Sequence, residues 1–64
     1  MTDFIEVTAF GKKTLINIAH IESVTPYDKD GYNAVITIAV SVDCDYKTKE
    51  TYEEIVDMIG NALR

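Results

Sequence analysis

Large apolar side chains occupy alternate positions over fifteen residues, from Val35 to Lys49. The residues that share one face of this run are Ile36, Ile38, Val40, Val42, Cys44, Tyr46 and Thr48. A period of two predicts β-strand. One strand of this length would extend about 50 Å at about 3.3 Å per residue, whereas a globule of 64 residues is about 28 Å across. We therefore expect the chain to turn or bulge near Ser41 to Asp45, or the strand to continue into a neighbouring subunit.

The same period recurs in two shorter runs near the start of the chain. Residues 4–10 are predicted as a first strand and residues 13–18 as its hairpin partner. The apolar face of the first strand consists of Ile5, Val7 and Ala9. The turn is predicted at Gly11-Lys12, because glycine adopts the positive φ that a tight hairpin requires.

The period changes to three at Ile18, Ile21 and Val24, which indicates a single helical turn with Ile18 and Ile21 facing inward. A third strand is predicted over residues 22–27. Pro26 belongs at the edge or the end of this strand, because proline has no N–H to donate to a ladder.

The strongest turn signal in the chain is Asp28-Lys29-Asp30-Gly31. It connects the third strand to the long alternating run. We predict that this run forms two strands, over residues 34–41 and 43–48.

A capping box at Thr51-Tyr52-Glu53-Glu54 predicts the start of a helix over residues 52–63. At 100° per residue its apolar side chains fall within an arc of about 120°, and its acidic side chains lie opposite. The apolar arc consists of Tyr52, Ile55, Val56, Ile59, Ala62 and Leu63. Gly60 is an anomaly that costs about 1 kcal/mol relative to Ala, so it indicates either close approach of another backbone or fraying.

Together these elements predict an α+β fold in one domain, residues 1–64. The fold is a small antiparallel, meander-like β-sheet of four to five strands, with one C-terminal α-helix packed on one face. A chain of this size buries only about 60% of the surface of its unfolded state. Self-association is therefore expected as a means of burying more apolar area.

Charge and cysteine content narrow the function classes. Six basic and eleven acidic side chains give a net charge of −5, which opposes phosphate binding and makes nucleic acid an unexpected partner. A single cysteine fits a reducing compartment. The acidic Met1-Thr2-Asp3 start and the short apolar runs predict a cytoplasmic protein with neither signal peptide nor membrane span.

No group of residues predicts catalysis, a cofactor or a metal site. His20 falls in a turn, and Cys44 is its only soft-ligand companion. Cys44 is predicted to face the core, and its acidic neighbours Asp43 and Asp45 disfavour the thiolate form. The segment beginning at Asp28 has alternate carboxylates, but Asn33 and Ala39 replace the Gly and Glu of a calcium loop. We therefore predict a protein that is not an enzyme.

The sheet face opposite the helix is the predicted interaction surface. Its outward positions are aromatic, or small and uncharged, so they leave apolar surface exposed to water. The candidate interface consists of Phe4, Phe10, Val35, Thr37, Ala39 and Ser41. Two modes of association are open, through this face or through edge-strand pairing, and a monomer with scattered apolar surface is the alternative. The acidic helix positions Glu53, Glu54 and Asp57 are either a solvated surface or a contact for a basic protein partner.

Five short motifs resemble the FlbD-like small proteins of flagellar operons and related proteins of undefined role. The motifs are Ile5-Glu6-Val7-Thr8, Gly11-Lys12, Leu15-Ile16-Asn17, His20-Ile21-Glu22 and Glu50-Thr51-Tyr52-Glu53-Glu54-Ile55. The resemblance implies the hairpin, turn, strand and capped-helix order, and it implies no catalytic residues. It also implies a reversal between the last two strands, where this chain has Ser41-Val42-Asp43 in place of a Gly or Asn turn.

The first half also resembles the opening strands of LytTR-type DNA-binding domains. Those domains contact DNA through basic loops, whereas the corresponding connections here carry acidic residues such as Asp28 and Asp30. The predicted function is therefore a non-enzymatic, self-associating interaction or assembly module. A nucleic-acid-binding or transcription-related module is the alternative.

Overall fold

The computed structural model describes residues 4–39 and 45–63. Within these residues the chain forms an antiparallel five-stranded sheet and one α-helix, which confirms the predicted α+β class. The elements are β1 (Phe4–Ala9), β2 (Lys12–Asn17), a 3₁₀ turn (Ile18–His20), β3 (Ile21–Lys29), β4 (Tyr32–Ile38), β5 (Asp45–Thr48) and α1 (Tyr52–Ala62).

The sheet is a meander whose last strand returns to its first, with the order β2-β1-β5-β4-β3. The edge strands β2 and β3 are nevertheless separated in sequence only by the turn Ile18–His20. A flat sheet would hold them about 19 Å apart, whereas the four steps from Asn17 to Ile21 span at most about 14 Å. The sheet must therefore curl towards a partly open barrel, with the 3₁₀ turn bridging its open side.

The long alternating run forms two strands. β4 and β5 pair antiparallel, with Thr37 opposite Asp45 and Ala34 opposite Thr48. The chain therefore reverses between Ile38 and Asp45, and the molecule is 34 Å in its longest dimension. The bend predicted near Ser41 to Asp45 falls almost wholly outside the described residues.

The predicted inward parity of this run is confirmed where the structure describes it. Ile36 and Thr48 are fully buried, Ile38 is nearly so, and Tyr46 packs partly buried against the core. Cys44, for which the same orientation is predicted, lies outside the described residues.

The first hairpin turns one residue earlier than predicted. Phe10 and Gly11 both have positive φ, 54° and 73°, as the two central residues of a type I′ turn require. β1 therefore ends at Ala9 and β2 begins at Lys12. β2 also ends earlier, at Asn17, whose side chain accepts a 2.9 Å hydrogen bond from the Ala19 N–H and starts the 3₁₀ turn.

The third strand is longer than residues 22–27 and lies at the sheet edge, where Pro26 is tolerated. It continues to Lys29 because Asp30 and Gly31, with φ of 58° and 82°, make a second two-residue turn. β4 consequently begins at Tyr32, two residues before the predicted position.

The helix begins with the predicted capping box. The Glu54 N–H donates to the Thr51 hydroxyl at 3.1 Å, and the Thr51 N–H donates to the Glu54 carboxylate at 2.8 Å. Ile55 is fully buried in the core, and Met58 and Ile59 pack against it. The buried core consists of Ile5, Val7, Ala9, Ile16, Ala34, Ile36, Ile38 and Ile55.

Three of the six helix residues predicted to face the core are exposed instead, so this part of the prediction is wrong. Tyr52, Val56 and Leu63 are exposed by 36, 44 and 55%. The face that packs on the sheet consists of Ile55, Met58, Ile59 and Ala62. At 100° per residue it is rotated by about 50° from the predicted arc, towards Met58. Residue 63 also follows the last helical residue, Ala62, as the C-cap.

The junction between β5 and α1 attaches to β1 through a side chain. The Lys49 N–H donates to the Thr8 carbonyl at 3.0 Å. The Glu50 carboxylate accepts hydrogen bonds from the Thr8 N–H at 2.7 Å and from the Thr8 hydroxyl at 3.0 Å. β5 itself pairs with β1 only where Ala9 lies opposite Thr48. The Glu50 side chain therefore extends the ladder after the strand has ended.

The same junction also attaches to the second hairpin. The Asn33 side chain donates to the Lys49 carbonyl at 2.6 Å, and the Lys49 ammonium donates to the Gly31 carbonyl at 3.1 Å. The buried Thr48 hydroxyl donates to the Glu50 carbonyl at 3.0 Å. These contacts fix the orientation in which α1 leaves the sheet.

Replacing Glu50→Gln is expected to lower the free energy of unfolding by about 1 kcal/mol at neutral pH, because it removes a charge-assisted acceptor. Desolvation by burial raises the Glu50 pKa, but hydrogen bonds from the N–H groups of Thr8 and Glu50 and from the Thr8 hydroxyl, with the charge of Lys13, leave it lowered overall. A lowered folded-state pKa stabilises the fold above the unfolded pKa, and this stabilisation disappears as pH falls through the folded value.

The stability difference between wild type and the Glu50→Gln variant should therefore be constant near neutral pH and shrink below about pH 4.5, the ordinary pKa of a glutamate. Urea denaturation at a series of pH values measures it. Glu22→Gln, which removes an exposed carboxylate on β3, is the charge-matched control and should show a smaller difference. A difference that grows in acid would contradict the assignment.

Two glycine substitutions should have opposite effects on stability. A Cβ added at either Gly60 or Gly11 meets nothing within 4 Å, but only Gly11 has positive φ. Gly60→Ala is expected to stabilise the fold by about 0.5–1 kcal/mol through helix propensity. Gly11→Ala should destabilise it by about 1 kcal/mol. Thermal or urea unfolding of both variants tests this, and loss of stability in Gly60→Ala would show that another backbone contacts the helix there.

Candidate interaction surface

The structure does not bring the two candidate phenylalanines together. Phe4 begins β1 and Phe10 follows its end, so they lie roughly 20 Å apart along the strand. Both are exposed, by 46 and 64%. They therefore belong to two different surfaces.

Phe10 occupies an unusual backbone position for an aromatic residue. Its φ of 54° lies in the left-handed region, which Asn, Asp and Gly adopt more readily than bulky side chains. Its ring centroid lies 5.8 Å from that of Tyr46, with the rings tilted by 57°. Because Tyr46 packs against the core, this contact anchors one side of the Phe10 ring.

The outward positions of β4 are better covered than the sequence pattern suggests. Val35 and Thr37 are half-buried. Val35 lies between Thr25 of β3 and Lys47 of β5, and the Lys47 ammonium lies 5.5 Å from the centre of the Tyr27 ring. The Lys47 stem therefore crosses β4 beside Val35 and shields it from water. Ala39 is exposed beyond the end of β4, and Ser41 lies outside the described residues.

A shallow apolar depression lies at the end of the sheet where Phe4 begins β1. Its volume is about 400 Å³, and its lining comes from β1, the end of β2, the 3₁₀ turn and the residue after α1. The lining residues are Phe4, Asn17, Ile18, Ala19 and Leu63. Two of them, Phe4 and Leu63, rank among the large exposed apolar side chains.

Leu15 adds to this surface and was missed by the sequence prediction. It is exposed by 66% and lies opposite Glu6 in the first hairpin, next to the pair formed by Phe4 and Asn17. Both Leu15 and its neighbour Ile16 are aliphatic, so the local pattern does not indicate which faces the core. Only the pairing of Ile16 with the buried Ile5 shows that Leu15 faces outward. We call Phe4, Leu15, Ile18, Ala19 and Leu63 the hairpin-end patch.

The free edge of β2 borders this patch. In a two-residue hairpin the residues that flank the turn, here Ala9 and Lys12, form a hydrogen-bonded pair, and the pairs alternate from there. The N–H and C=O groups of Lys13, Leu15 and Asn17 therefore point away from β1. Within the described sheet β2 pairs with β1 alone, so these groups are available to another strand.

The opposite edge, β3, differs from β2 in three respects. Pro26 lies in its middle, and its pairing with β4 shows register shifts between Ile21 and Ser23 and between Pro26 and Lys29. Proline and bulges are devices that prevent edge-to-edge pairing. β2 has an uninterrupted register with β1 and contains no proline.

The remaining candidate groups lie apart from this surface. His20 is exposed at the end of the 3₁₀ turn, where its carbonyl accepts a 2.8 Å hydrogen bond from the Ala39 N–H. Glu53 and Asp57 are exposed on α1. Across residues 4–39 and 45–63, no three His, Cys, Asp or Glu side chains cluster in a way that could hold a metal ion. No helix in this part of the chain has the length and apolar character needed to cross a membrane.

Comparison with known proteins gives no relative from which a function could be transferred. No protein-family model, no curated protein and no solved structure matches the chain.

Proposed function

We propose that this protein is a small non-enzymatic interaction module that acts by associating with itself. The observation that carries the proposal is the exposed hairpin-end patch beside an unpaired strand edge. Leu15, Leu63 and Phe4 expose 66, 55 and 46% of their surface there. In a chain of 64 residues with one small core, burying this area would add appreciably to stability.

Charge restricts where and how two copies can associate. The chain carries a net charge of −5, which makes two copies repel each other at most orientations. β2 is a local exception, because it contains Lys12 and Lys13 and no acidic residue. Association through β2 therefore avoids the contact between acidic surfaces that α1 would make, and it requires an alignment that keeps the lysines of the two copies apart.

Two further parts of the proposal rest on the sequence. A single cysteine is typical of proteins in a reducing compartment, and we place the protein in the cytoplasm. We also propose kinship with the FlbD-like proteins, on the motifs that resemble theirs. Two of these motifs coincide with structural junctions: His20-Ile21-Glu22 begins β3, and Glu50 to Ile55 contains the Thr8 contact and the helix cap.

Sedimentation velocity should show a concentration-dependent dimer or higher assembly of the wild-type protein. Phe4→Asn should weaken this association about tenfold, because the dimer would no longer bury the exposed half of the phenylalanine side chain. Tyr52→Asn, at an exposed aromatic residue in the first turn of α1, is the matched control and should leave the association constant unchanged. A wild type that stays monomeric at high concentration would exclude the proposed function.

The nucleic-acid alternative has a separate test. Fluorescence anisotropy with duplex DNA at low salt should show no binding, because the exposed end of the β3–β4 hairpin carries Asp28 and Asp30 and repels phosphates. Binding that weakens steeply with added salt would favour the LytTR-like interpretation over the assembly module.

A further inference from the structure

We propose that two copies of this chain pair their β2 strands antiparallel about a twofold axis that passes beside Leu15, which joins the two sheets into one. This inference rests on the proposed self-association and specifies its geometry. The two edges of the sheet differ, since β3 has Pro26 and an irregular register, whereas β2 pairs with β1 over all six of its residues. β2 is therefore the edge that can accept another strand.

The direction of the free backbone groups fixes the alignment. Those groups belong to Lys13, Leu15 and Asn17, so a second strand must place one of these three residues opposite another. Alignment about Leu15 pairs Leu15 with itself and Lys13 with Asn17 of the second copy. All three residues on each chain are then used, and about four to six backbone hydrogen bonds form, since the Asn17 C=O also accepts the first hydrogen bond of the 3₁₀ turn. Alignment about Lys13 or Asn17 would leave part of each edge unpaired.

Electrostatics favour the same alignment. A twofold axis at Lys13 would place two ammonium groups directly opposite each other, which destabilises strand pairing. The axis at Leu15 separates Lys12 and Lys13 of one copy from those of the other and places each Lys13 opposite a neutral amide. The acidic residue nearest the axis is Glu6, which lies one strand further in.

The side chains at the axis are suited to burial. Leu15, exposed by 66% in one chain, would contact Leu15 of the second copy across the axis. Phe4 lies diagonal to Leu15 on the same face, so the hairpin-end patches of the two copies would flank this contact. On the other face, half-buried Thr14 would lie opposite Ile16 of the second copy.

A charge-swap experiment tests the axis directly. Leu15→Lys and Leu15→Glu should each weaken the dimer about tenfold, because each places like charges opposite one another and removes an apolar contact. Mixing the two variants should restore association to near the wild-type constant, because opposite charges then face each other. Leu63→Lys and Leu63→Glu, at a second exposed leucine of the patch, are the matched controls, and their mixture should show no such recovery.

A second pair of variants tests the backbone pairing. Lys13→Pro removes an N–H that points away from β1, so the hairpin should survive while one interchain hydrogen bond at each end of the pairing is lost. Lys13→Ala controls for the loss of the side chain. Only the proline variant should weaken association by about tenfold or more. Circular dichroism and thermal unfolding at low concentration verify that every variant is folded.

The outcomes separate this inference from the proposed function. A monomeric wild type would overturn both. A wild-type dimer that keeps its affinity in Leu15→Lys, Leu15→Glu and Lys13→Pro would overturn the β2 pairing and leave self-association standing. Recovery on mixing the Leu63 variants, but not the Leu15 variants, would place the axis at the end of α1 and would also overturn it.

Discussion

The return of β5 to β1 is the contact on which the rest of this fold depends. Without it the chain is the β1–β2 hairpin and the β3–β4–β5 meander joined by a three-residue 3₁₀ turn. The hairpin holds only four of the eight buried core residues, so neither part can form the core alone. Strand pairing supplies only the opposition of Ala9 and Thr48. The Glu50 carboxylate, bound to both polar hydrogens of Thr8, extends this closure. Glu50 is also the residue immediately before the helix N-cap Thr51. The same contact therefore fixes the position of α1 over the core.

Local patterns predicted those parts of the structure that local chemistry determines. The alternation of apolar residues identified the inward faces of β1 and β4, and the Thr51–Glu54 capping box began the helix as expected. The turn predicted at Asp28 to Gly31 is present but is confined to Asp30 and Gly31. The hidden join in the long run could be inferred because one strand of that length would not fit a chain this small.

The misses have a common physical origin in contacts between distant residues. A phenylalanine in the left-handed region is disfavoured locally, so the turn at Phe10 was missed, and the sequence offers no hint of its contact with Tyr46 across the sheet. The outward direction of Leu15 depends on which residue of β1 lies opposite it. The exposure of Val56 and Leu63 depends on which side of the helix turns towards the sheet, and the sheet turns Met58 inward in their place. The candidate surface therefore moved from the middle of the outer face to the end of the first hairpin.

The short connection between β2 and β3 also bears on how the protein folds. Both hairpins and the 3₁₀ turn form from residues close in sequence, whereas Thr8 and Glu50 are 42 positions apart. Joining the ends of a loop of that length costs about 3 kcal/mol of chain entropy. The core residues of β1 and α1 gain their burial only after this loop has closed. Topology therefore favours an order in which the local hairpins form before the closing of this loop.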